Sequence, residues 1–255
     1  MSIRKPFTKE QLDGYLKALG KAYRKLSGKQ IPSEIILIGG ASVLLNYGFR
    51  DMTDDADAIF LAQSTLKDAI RQVTDEFDEL TQDWLNDDFK KSPSYTDRLI
   101  EKSKFYKTFS NILQVRTIKD EYLIAMKLMA SQERTYKHDR SDVIGILWEH
   151  DAKGNPISLA IIEKAFEELY DTPLPNKSRK FIENAIARGN YENLYAEIKT
   201  EEKENRDILK EFNEEYGIRI KRSDIGNTIE RMKQKKAREN NDESSAADNY
   251  GDSKT

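Results

Sequence analysis

The chain has 255 residues, of which 34% are charged and 38% hydrophobic, with a formal net charge of −3. That length can bury one good core, or a core plus a smaller helical unit, and the acidic balance argues against a generic nucleic-acid coat. Without cysteine there are no disulfides or thiolate metal sites, two histidines do not make a multi-histidine zinc site, and no stretch approaches a membrane span.

Thr8 to Gln11 is a capping-box pattern, and Leu12, Tyr15, Leu16, Leu19, Tyr23 and Leu26 follow at helical spacing. This first helix ends near Ser27-Gly28. Ile35 to Ile38 is a continuous apolar run, as expected of a strand buried on both faces. Gly39-Gly40 turns it into a helix over Ala41 to Tyr47, with Gly48 as C-cap. Ala56 to Leu61 reads as a second strand, Leu66 to Phe77 as a helix, Trp84-Leu85 as a short turn, and Asn86 to Asp97 as a loop. Phe105 to Val115 reads as a ribbon or strand pair. Asp120 is expected to cap a helix over Tyr122 to Gln132, and another follows over Asp139 to Trp148.

From Ser158 to about Thr200 the pattern is helical, broken at Thr172 to Pro175 and at Gly189-Asn190. Asp224 to Arg238 reads as an exposed helix, and Asn240 to Thr255 as a disordered polar tail. Basic clusters at Lys102 to Lys107, Lys177 to Lys180, Arg219 to Arg222 and Arg231 to Arg238 can touch a polyanion, but each taken singly reads first as a solvated face balanced by nearby acids. The order makes an α+β amino-terminal half and a helical carboxy-terminal half. The expected units are 1–118, a helical 119–200, a charged helical 201–239 and the tail 240–255. The amino terminus has charge but no apolar segment behind it, so a cytoplasmic location is expected.

Four features bear on chemistry. Glycine at 39 and 40 lets backbone approach a phosphate closely, with free N–H groups at a helix start and the Ser42 hydroxyl in the first turn. Asp55 and Asp57, one residue apart at a strand start, point the same way and can share a Mg²⁺ ion; alternation points Asp54 away. Without the strand context they would be acids of a solvated loop. Arg50 can pair with Asp51, with a carboxylate of the site or with a phosphate, and Thr53 reads as a turn residue. Lys127, inside the apolar run Ile124 to Ala130, needs an anionic partner or a route to solvent.

Gly39-Gly-Ala-Ser-Val-Leu-Leu-Asn-Tyr-Gly-Phe-Arg50 followed by Thr53-Asp-Asp-Ala-Asp57 resembles the first motif of the polymerase β-like nucleotidyltransferase superfamily. The branch it looks most like is the bacterial AbiEii-like and DUF6036 group, whose members include toxins of toxin–antitoxin and phage-defence systems. Asp120-Glu-Tyr-Leu-Ile-Ala-Met-Lys127, with Arg134 and Lys137-His-Asp139-Arg-Ser-Asp142, looks like that group's helical motif. The resemblance covers roughly residues 30 to 150. It implies a small mixed sheet flanked by helices, and Mg²⁺-dependent transfer of a nucleoside monophosphate from an NTP. The implied acceptor is an RNA such as tRNA, or a protein, with a cognate antitoxin as a further partner.

By position, Asp55 and Asp57 would hold metal, Gly39, Gly40, Ser42, Arg50 and Lys127 would bind nucleotide, and Lys127 and Asp139 would complete the catalytic set. Asp142 would line the site, hold the helix pair together, or pair within its own helix. Two positions depart from the superfamily pattern. Ala56 replaces a larger apolar residue, and Gln114 and Arg116 stand where many members place a third carboxylate. The alternative function is a non-catalytic nucleotide-binding or interaction protein of a defence operon.

Overall fold

The computed structural model describes residues 5–28, 31–61, 64–132, 134–217, 224–236 and 238. The expected tail 240–255 and the basic cluster Arg219 to Arg222 lie outside the described residues.

Helix α1 spans Lys9–Leu26, and the capping box forms: Thr8 Oγ1 accepts from the Gln11 amide while the Gln11 side chain accepts from Thr8 N–H. Then come β1 (Ser33–Leu37), α2 (Gly39–Asn46), β2 (Ala56–Phe60), α3 (Ser64–Glu76) and a two-residue β3 (Leu85–Asn86). Strands β4 (Ser103–Phe109) and β5 (Leu113–Ile118) form an antiparallel hairpin. Its three-residue connection is closed by the Ile112 amide donating to the Phe109 carbonyl, with Ser110 and Asn111 at positive φ. The sheet order is β3-β2-β1-β5-β4. β1 runs antiparallel to β2 and parallel to β5, so the sheet is mixed. The helices α4 (Asp120–Ser131), α5 (Asp139–Ala152), α6 (Leu159–Tyr170), α7 (Asn176–Arg188) and α8 (Tyr191–Tyr216) complete the chain's named elements.

Because side chains alternate along a strand, β1 feeds two cores. Ile35 and Leu37 pack with Leu12, Leu16, Leu19 and Val73 of α1 and α3. Ile36 joins the other core with Ile59, Leu123, Ile144 and Phe166, which continues through α4, α5, α6, α7 and α8. One sheet face therefore carries two helices, and the other carries the helical half.

Several expectations are corrected. Lys119, not Asp120, is the N-cap of α4; the Asp120 carboxylate instead accepts from Lys104 Nζ at 2.5 Å and lies 3.1 Å from His150 Nε2. Gly48 is not a left-handed cap: α2 ends on Tyr47 with extended backbone, and the Gly48 amide donates to Glu149. Leu85 is in a strand beside β2 rather than a turn, because the Ala56 amide draws the Trp84 carbonyl into the sheet. Two 3₁₀ turns, Asp88–Lys91 and Asp97–Leu99, interrupt the expected loop. The helical stretch 225–236 is not wholly exposed, since Ile229 and Met232 pack against Ile208 and Leu209 of α8. Among the basic residues, Lys102 pairs with Glu168, Arg179 with Glu163 and Lys236 with Glu211.

Candidate functional site

The parity of β2 decides which way its acid points. Ala56, Ala58 and Phe60 face α1 and α3, so Asp57 shares the opposite face with Ile59, toward α4. The Ile38 amide donates to the Asp57 carbonyl at 3.0 Å, which sets Asp57 level with the turn into α2. Gly39 makes that turn at φ +56°, and a Cβ there would lie 3.6 Å from Asp57 Oδ2. Gly40 has no room for one: its Cβ would come within 2.7 Å of Thr53 Oγ1 and 2.9 Å of an Arg50 Nη. The N-cap residue of α2, Ile38, makes no side-chain cap hydrogen bond, and the first N–H groups of a helix have no intrahelical acceptor.

Thr53 anchors the segment before β2. It exchanges backbone hydrogen bonds with Phe7, and its hydroxyl donates to the Asp55 carbonyl at 3.0 Å. Asp54 and Asp55 thus precede the strand. Alternation does not apply to Asp54, which lines the same cleft as Asp55 and Asp57 instead of pointing away.

The opposite wall comes from α4 and α5. Lys127 Nζ lies 3.0 Å from Asp139 Oδ1 and 2.7 Å from Asp142 Oδ2, with the lysine side chain 7% exposed and the acids 3% and 4%. Arg50 donates to both Asp142 oxygens, at 2.8 and 2.7 Å. Arg134 places Nη2 3.0 Å from Asp139 Oδ2. Burial pushes the Lys127 ammonium down, but Asp142 and Asp139 outweigh it and hold the pKa above the usual lysine value. Burial likewise pushes Asp142 up, and Arg50 and Lys127 override it, so its carboxyl lies below the ordinary range.

Between the walls lies a cleft of about 210 Å³. Gly39, Gly40, Asp54, Asp55 and Asp57 form one side, and Lys127, Arg134, Lys137, His138 and Asp139 the other, with Arg50 and Thr53 between them.

The family model described as a nucleotidyltransferase of unknown function, DUF6036, matches residues 14–181. The chain belongs to the DUF6036 family. No curated protein and no solved structure matches it.

Of the residues singled out in this DUF6036 chain, Gly39, Gly40, Arg50, Asp55, Asp57, Lys127 and Asp139 meet in the cleft. Ser42 does not. It is fully buried one turn along α2, and its Oγ accepts from the Ile118 amide at 3.3 Å, tying α2 to β5. Lys127 does not reach solvent as a surface lysine would. Arg50 chooses Asp142 over Asp51, and Asp142 pairs across elements rather than within α5. Arg116 is occupied by Glu34 and by the Ser103 carbonyl.

Sequence reasoning missed what α8 contributes. Glu202, fully buried, accepts from the Arg140 and Ser141 amides at 3.0 and 3.2 Å and from Ser141 Oγ at 2.6 Å. It caps the start of α5, the helix that carries Asp139 and Asp142. Asn205 Nδ2 donates to the Thr135 carbonyl and Arg206 to that of Tyr136, which pins the loop between α4 and α5. The signal was present: Ile198, Glu202, Asn205 and Leu209 recur on one stripe of α8, so two polar residues sit on its buried face.

Glu202→Ala is expected to leave those amides without an acceptor. The cost is about 1–3 kcal/mol, or roughly 2–12 °C in a thermal melt at this chain length. Glu202→Gln, which keeps one acceptor oxygen, should lose less than half of that. Equal melts for all three proteins would remove Glu202 from this role.

Proposed function

We propose that this DUF6036 chain is a Mg²⁺-dependent enzyme that moves a nucleoside monophosphate from an NTP to a hydroxyl of an RNA or protein. The observation that carries this reading is the juxtaposition of Asp57 with the Gly39-Gly40 turn, across one cleft from Lys127 and Arg134. The donor set suits magnesium. Among the described residues no cluster of three His, Cys, Asp or Glu side chains that could hold a metal is found. Mg²⁺, however, typically takes one or two carboxylates and completes its shell with substrate phosphates and water. Asp55 and Asp57 would hold it. Bound there, the ion supplies charge neutralisation on the phosphates and orientation of the attacking oxygen.

The chain's own groups do the rest. The amides at the start of α2 receive phosphate oxygens, and Gly40 keeps that approach open. Lys127, steadied between Asp139 and Asp142, presents positive charge to the phosphates. The acceptor hydroxyl oxygen bonds to the α-phosphorus, and the bond from that phosphorus to its β-bridging oxygen breaks. Pyrophosphate leaves, and the hydroxyl proton passes to a carboxylate of the acidic wall. A cleft of about 210 Å³ is smaller than the roughly 300–1,000 Å³ of pockets that enclose a whole ligand. It suits the triphosphate and the ion, with the nucleoside toward solvent.

The likeness of Gly39 to Asp57 to the polymerase β-like superfamily and its AbiEii-like branch supports an RNA such as tRNA, or a protein, as acceptor. It also supports a toxin acting in the cytoplasm, restrained by a cognate antitoxin. No described helix is long and apolar enough to cross a membrane.

Incubating the protein with each α-³²P-labelled NTP, total RNA and protein extract tests the reading. Label should enter one macromolecular fraction with Mg²⁺ present, and should vanish with EDTA or with Asp55→Asn. Label that persists in both controls would refute it. Nucleotide binding without any incorporation would favour the non-catalytic binder.

A further inference from the structure

The two walls of the cleft are not equally balanced. On the basic side, among the described residues, Arg50, Lys127 and Arg134 share two carboxylates, Asp139 and Asp142. Arg50 and Lys127 both sit on Asp142, and Lys127 also takes Asp139 Oδ1, so these two cations are matched. Arg134 is the surplus charge. Its Nη2 lies near Asp139 Oδ2, yet that oxygen has no aligned hydrogen bond, and the buried Arg134 Nε has no hydrogen-bond partner either. A buried donor without an acceptor and a cation without a full counter-charge both cost free energy. Such a cost is tolerated where a ligand completes the set.

The segment carrying Arg134 is also fixed in place. α8 holds the carbonyls of Thr135 and Tyr136, the two residues that follow Arg134, through Asn205 and Arg206. Arg134 lies in the loop just past α4, whose Met126, Lys127 and Ala130 line the cleft with it. Lys137 follows on the same loop and lines it too. A planar guanidinium with unspent donors matches two oxygens of a phosphate better than an ammonium already committed to carboxylates.

We infer that Arg134 is a substrate-contacting residue that grips the terminal phosphates of the triphosphate, the portion that leaves as pyrophosphate. Lys127 then acts nearer the acids. This assignment rests on the nucleotide reading above and adds to it where the leaving group lies.

Inorganic tripolyphosphate with Mg²⁺ is the probe, since it carries the phosphates without a base. Its affinity is measured by titration calorimetry on the full chain, beside that of the four nucleoside monophosphates. Arg134→Gln should weaken tripolyphosphate by about 10–100-fold, the range for a lost charge-assisted bond. Arg134→Lys, which keeps the charge without the fork, should fall between the two. Monophosphate affinities should stay within about twofold. Should Arg134→Gln not fold, Arg134→Lys reads the same difference. Wild-type affinity for tripolyphosphate in both variants would overturn the assignment while leaving the nucleotide reading in place. A wild-type protein that binds neither tripolyphosphate nor any NTP would overturn both.

Discussion

Asp57→Ala should lower nucleotide incorporation by at least about 10³-fold while moving the melting temperature by no more than a few degrees. Asp57 is half-buried and held at its backbone by Ile38, so β2 keeps its place when the carboxylate is gone. What is lost is one of two proposed ligands to a metal whose contribution to phosphoryl transfer is several kcal/mol. About 4 kcal/mol corresponds to roughly 10³ in rate. The charge on the transferring phosphoryl group grows toward the transition state, so kcat should fall far more than KM rises. Single-turnover incorporation of labelled nucleotide reads this directly. A variant that retains a tenth of wild-type activity would remove Asp57 from the metal site.

Asp142→Ala should have the largest effect on stability. It would leave Arg50 and Lys127, both largely buried, facing each other without the carboxylate that separates them. Breaking a buried pair from one side costs about 3–5 kcal/mol, which at this size is a fall of roughly 6–20 °C in a melt. The pH dependence has a definite sign. Asp142 has a folded pKa below its ordinary value, so its stabilisation is present above the usual carboxylate range and is lost as pH falls through the lowered value. Lys127 has a folded pKa above its ordinary value, so its share is present below that value and is lost only as pH rises through the raised one. Urea titrations of wild type and Asp142→Ala should therefore differ by a constant amount between about pH 5 and pH 10. The difference should narrow below about pH 4. A difference that grows on acidification would contradict the network as described.

Local chemistry was legible where it repeats or stands out. The apolar run Ile35 to Ile38, the glycine pair and the strand from Ala56 were enough to place strand, turn and Asp57 together, and the structure brings Gly39, Gly40 and Asp57 to one cleft; alternation failed just before the strand, where Asp54 lines that cleft too. The capping box at Thr8 was equally plain. Long-range choices were not. Arg50 had three candidate partners, and only the docking of α5 beside the segment before β2 selects Asp142, 92 positions away. Asp120 carried the residue type of a cap but lies one position inside the helix, where Lys104 and His150 claim it. Ser42 looked like a phosphate-binding hydroxyl because it follows Gly-Gly, yet a helix advances 100° per residue and turns it into the core. Glu202 lies in a run of acids where composition alone cannot separate one buried carboxylate from its solvated neighbours; only its place on the apolar stripe of α8 marks it.

The most direct test of the account is the structure of this DUF6036 chain bound to Mg²⁺ and a non-hydrolysable NTP analogue. The expected result is one ion about 2.0–2.1 Å from oxygens of Asp55 and Asp57, with phosphate oxygens on the amides of Gly39 and Gly40. A nucleotide seated elsewhere, or a metal held without either aspartate, would contradict it.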